Sequence, residues 1–103
     1  MTQVQDQLSE VAAAISTAAQ AVDGDADASP VLVAVVHEFD AKAAKATKVA
    51  AGGMKEAREA VVELEQAGDS AKAAAEADPD AGEATKKAVL DAHLSICMLK
   101  AKL

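Results

Sequence analysis

The sequence predicts an all-α protein, an antiparallel four-helix bundle with short loops in which residues 1–103 form one domain. Three observations carry this expectation. Alanine, the strongest intrinsic helix former, fills 28 of the 103 positions. Larger apolar residues recur three and four positions apart, the spacing of one face of a helix. Turn-forming residues cluster near 23–29, 52–53 and 78–80, dividing the chain into four segments.

In the first segment Val4, Leu8, Val11, Ile15, Ala18 and Val22 form a narrow seam, and Asp6 and Glu10 near its start suit the helix dipole. The run Asp23-Gly24-Asp25-Ala26-Asp27-Ala28 ends it. Ser29-Pro30 is a start signal, an N-cap hydroxyl before a proline at the first helical position. The β-branched run Val31–Val36 has strand character. It continues, however, as Leu32, Val35, Val36, Phe39, Ala43, Ala46 and Ala50 on one helical face, which predicts a second helix. Lys42, Lys45 and Lys48 lie toward its C-terminal end, and Gly52-Gly53 closes it. The third helix starts near Met54 on a seam of Met54, Ala57, Val61 and Leu64. It is expected to run through Gly68-Asp69-Ser70 to about Ala77, because Ala71 and Ala75 keep the seam. Asp78-Pro79-Asp80 separates it from a fourth helix over about Asp80–Lys102, whose last third is apolar around most of its circumference.

Alanines set aside, 25 larger apolar residues remain, a thin core for this length. A buried methyl contributes roughly 0.8 kcal/mol, against about 1.5–3 for a buried Val or Leu side chain. The net charge of −7 argues against nucleic acid and against anionic membrane surfaces as partners, since both are bound through basic residues. It leaves room for a basic protein partner. The single cysteine, Cys97, cannot form an internal disulfide. The start Met1-Thr2-Gln3-Val4 has no leader character, and no apolar run approaches the roughly 20 residues of a membrane span. A cytoplasmic location is the expectation.

Candidate sites are few. Asp23, Asp25 and Asp27 imitate the start of a calcium loop, but its required glycine and glutamate positions hold Ala28 and Ala34. A solvated turn is the expectation. Glu76, Asp78 and Asp80 repeat the alternation, and an up-down bundle puts both loops at one end. A shared weak cation site or a contact for a basic partner there is geometrically open. His93 and Cys97 share one helical face, as metal ligands often do, yet two further ligands are not apparent within the chain, so no metal is expected. Glu56, Glu59 and Glu63 point away from their helix seam and read as solvated charges, and Gly52-Gly53-Met54-Lys55 lacks phosphate-loop spacing. Nothing in the spacing around Ser9, Ser29, Ser70 and Ser95 supports a serine nucleophile.

These features predict a small acidic interaction or structural module, not an enzyme, that needs no cofactor. The alternative is a bundle that binds a small ligand or metal ion. On the last helix Leu90, Leu94, Cys97 and Ala101 are expected to close the core. Val89, His93, Ile96, Leu99 and Leu103 would then remain for a homodimer contact. A histidine inside that contact would make association pH-sensitive.

Overall fold

The computed structural model describes residues 2–103, with side chains described from Gln5 onward. Val4 and the rest of the Met1–Val4 start therefore lie outside the described side chains. Four helices follow one another: α1 (Thr2–Asp23), α2 (Pro30–Val49), α3 (Met54–Ala77) and α4 (Glu83–Ala101), with a 3₁₀ turn at Ala50–Gly52. They pack pairwise around a square, α1 on α2 and α4, α3 on α2 and α4, in a body of 41 × 20 × 17 Å. Short connections make consecutive helices antiparallel neighbours. Among the described residues there is no strand, so Val31–Val36 is helical. None of these helices is long and apolar enough to cross a membrane.

The local signals act as their chemistry requires. Ser29 Oγ accepts the Leu32 N–H at 3.1 Å, with Pro30 at the first helical position. The helix ends through the 3₁₀ turn and Gly53, whose φ of 141° favours glycine; a Cβ there would also stand 2.9 Å from the Glu56 carboxylate. The third helix runs unbroken through Gly68. Two expectations change. The first helix begins at Thr2, so Asp6 and Glu10 lie past its first turn, where the dipole has faded. The fourth helix begins at Glu83 rather than Asp80, because Asp78 through Ala81 are held in a loop.

The core repeats. Leu8, Val11, Ile15, Ala18 and Val22 of α1 are buried, and so are Val61, Leu64, Gly68, Ala71 and Ala75 of α3, each 53 positions later. Leu32, Val36, Phe39, Ala43 and Ala46 of α2 are matched at the same shift by Thr85, Val89, Ala92, Ile96 and Leu99 of α4. Residue size is traded across this relation: Ile15 against Gly68, Phe39 against Ala92, Ala43 against Ile96. Each hairpin thus presents the same register to the other with different bulk. Of the expected seam residues, Val35 is half-buried and Met54 is exposed.

Candidate functional site

On α4 the faces are the reverse of those expected. Val89, Ile96 and Leu99, expected at an intermolecular contact, are core residues, and Leu103 packs half-buried against that core. Leu94 is 57% exposed and Met98 55%, Ala101 is exposed, and Leu90 and Cys97 are half-buried. The reason lies toward the start of the helix. The face of Leu90 and Leu94 continues backward into Lys86, Lys87 and Glu83, whereas that of Val89 and Ile96 continues into Thr85. Only the second runs the length of the helix without burying an unpaired charge, which would cost far more than an exposed leucine.

The turn of the helix brings His93 and Cys97 against α3, where Glu65 and Asp69 stand one turn apart. His93 is largely covered, its side chain 15% exposed, and its Nε2 lies 2.7 Å from Asp69 Oδ1. The Cys97 sulfur is 3.5 Å from the same Nε2, 3.9 Å from Nδ1 and 4.0 Å from Glu65 Oε2. Lys100 Nζ binds Glu65 Oε1 at 2.7 Å. This is not a nucleophile–base–carboxylate relay, in which one ring nitrogen faces the nucleophile and the other the carboxylate. Here a single nitrogen serves both. Burial pushes the Cys97 thiol up, and the Glu65 and Asp69 carboxylates push it the same way, so the reactive thiolate is disfavoured. As the side chains are arranged, no three His, Cys, Asp or Glu residues among the described residues form a group that could hold a metal ion.

The acidic loops do meet at one end, but their central carboxylates are turned inward. Asp25 Oδ2 accepts the Gly82 N–H at 2.8 Å and the Thr85 hydroxyl at 2.7 Å, and its Oδ1 accepts the Asp27 N–H. Asp78, 5% exposed, accepts the Ser29 N–H through Oδ2 at 2.8 Å, and the Asp80 and Ala81 N–H groups through Oδ1. Donors that favour the ionised form lower both carboxyls: the Gly82 amide leads for Asp25, the Ser29 amide for Asp78. These oxygens are occupied by the fold. Asp23 pairs with His37 at 2.7 Å on the surface, while Asp27, Glu76 and Asp80 are exposed.

Between α2 and α3 a groove of about 200 Å³ has Ala46, Val49 and Ala60 in its lining, with Lys42 and Lys45 facing Glu56, Glu59 and Glu63. Both lysines reach Glu63, at 3.5 and 3.7 Å, so one member of the glutamate stripe is paired while Glu56 and Glu59 are exposed. No known family, curated protein or solved structure matches this chain. Glu65, Asp69 and Thr85 were not singled out from sequence. Their signals were present: Glu65 and Asp69 share the spacing of His93 and Cys97, and Thr85 extends the seam of Val89.

Proposed function

We propose that this chain is a small, non-enzymatic interaction module that docks through the outer face of α4. One observation carries the reading: Leu94 and Met98 are exposed one turn apart, where the equivalent α2 positions, 53 residues earlier, hold Ala41 and Lys45. Leu90 and Ala101 extend the apolar strip; their α2 equivalents are His37 and Lys48. A helix in the same structural role does without this apolar surface, so bundle formation does not demand it, and exposed apolar patches commonly mark association sites. The first occupant is a second copy of the chain, in a homodimer with α4 at the twofold axis. A basic protein is the other class that the net charge of −7 favours, and the unpaired thiol suits the cytoplasm. Light scattering at high micromolar concentration tests this directly. Wild type should be dimeric, and Leu94→Glu with Met98→Glu should be monomeric with unchanged circular dichroism. A monomeric wild type removes the homodimer.

A second reading, capture of a soft divalent cation, draws support from Glu65, Asp69, His93 and Cys97 at the α3–α4 seam. Their equivalents on α1 and α2 are Ala12, Ser16, Asp40 and Ala44, so this chemistry too is additional to the fold. Coordination would require Asp69 and His93 to exchange their mutual bond for the metal. Titration with cobalt(II) should give a sulfur-to-cobalt absorption band that Cys97→Ser abolishes; no band at all would dismiss the reading.

A further inference from the structure

The bonds at the acidic end run in both directions. Asp25 stands four residues before Ser29, the N-cap of α2, and Asp78 four residues before Gly82, the N-cap of α4. Each aspartate uses Oδ1 to hold the amide two residues on, Asp27 in one loop and Asp80 in the other. Each uses Oδ2 to hold the cap amide of the opposite hairpin, Asp25 that of Gly82 and Asp78 that of Ser29, both at 2.8 Å. Gly82 has no side chain with which to cap its own helix; Asp25 Oδ2 ties its amide to the Thr85 hydroxyl, which donates to the same oxygen at 2.7 Å.

We propose that the two loops form one crosswise latch, a conformational device through which the acidic end of the bundle opens as a unit. The coupling follows from two oxygens on one rigid carboxylate. A loop that changes shape moves the oxygen holding the opposite cap, and a cap that moves pulls on the loop. Because the arrangement is reciprocal, opening started in either hairpin releases the other.

Amide hydrogen exchange on the full chain tests this. Val33 N–H, bonded to Ser29 O at 3.0 Å, reports the start of α2, and Lys86 N–H, bonded to Gly82 O at 3.0 Å, reports that of α4. Ala57 N–H, bonded to Gly53 O at the far end, is the control. Asp25→Ala and Asp78→Ala should each speed both reporters by about fivefold or more, the scale of losing a helix cap, and leave Ala57 unchanged. The double variant should exchange no faster than the faster single one. Acceleration confined to one reporter per variant, or a double effect equal to the product of the singles, would overturn the latch. Should the alanine variants fail to fold, Thr85→Val removes one bond to Asp25 with little change of shape. It should still speed Val33 at least twofold, and an unchanged Val33 would refute the coupling.

Discussion

Phe39 is the chain's one aromatic residue, and it lies fully buried against the glycine that most resembles a flaw. A Cβ on Gly68 would stand 3.0 Å from Phe39 Cζ and 3.4 Å from Ile96 Cγ2. Glycine within a helix costs about 1 kcal/mol relative to alanine. Overpacking a filled core costs about 1–3 kcal/mol, and the enclosed ring cannot easily retreat. Gly68→Ala should therefore destabilise the protein by about 1 kcal/mol, yet become neutral or stabilising in a Phe39→Leu background. Urea midpoints of the four proteins in that cycle give the answer; additive effects would mean that the ring does not set the requirement for glycine. From sequence, Gly68 was legible only as a weak point in α3. Its reason lies across the core, on a residue 29 positions earlier, and helical spacing carries no information about the opposite wall.

At the scale of the element, boundaries were the most legible part, because caps and turn residues act through neighbours in sequence. Ser29-Pro30 needed nothing beyond the next three residues. The start of α4 was different: no side chain caps it, and the Gly82 amide is held by Asp25, 57 residues earlier, which no local signal marks. The inward face of α4 is ambiguous over Val89–Leu103, where apolar residues surround most of the helix. Its first two turns, with Glu83, Lys86 and Lys87, decide which side enters the core. The carboxylates at the helix starts also predict a pH response. Asp25 and Asp78 titrate lower in the folded protein than in the unfolded chain, so their contribution is fully present above the ordinary aspartate range. It is lost as pH falls through the lowered native values. Wild type should lose stability across that acid window, and Asp25→Asn with Asp78→Asn should flatten the dependence. Denaturant midpoints measured from neutral pH to about pH 2 would show it; an unchanged slope would mean that other carboxylates govern acid unfolding.

For the molecule as a whole, the two acidic loops carry the one faint trace of the repeat that the sequence offers. The alternating carboxylates Asp23, Asp25, Asp27 and Glu76, Asp78, Asp80 are 53 positions apart, the same shift that relates Leu8 through Val22 to Val61 through Ala75 in the core. Outside that motif and a few alanines the halves share little identity, because a thin core constrains which positions are buried far more than which apolar residue fills them. The candidate sites were legible only in half. His93 and Cys97 stood out, whereas their partners Glu65 and Asp69 reach them from another helix.

The unequal filling of an equal register also bears on misassembly. Two hairpins of matching register invite mispairing, first with first or second with second, whenever chains meet unfolded. A first hairpin set against its own copy would bring Phe39 onto Ile15 in place of Gly68, a collision in the middle of the core. A second hairpin set against its own copy would leave Gly68 facing Ala92 and a void between them. Size alone thus discriminates: the large ring and the missing side chain fit each other and penalise both mismatched pairings, so the chain's choice of itself over its neighbours is written at two positions.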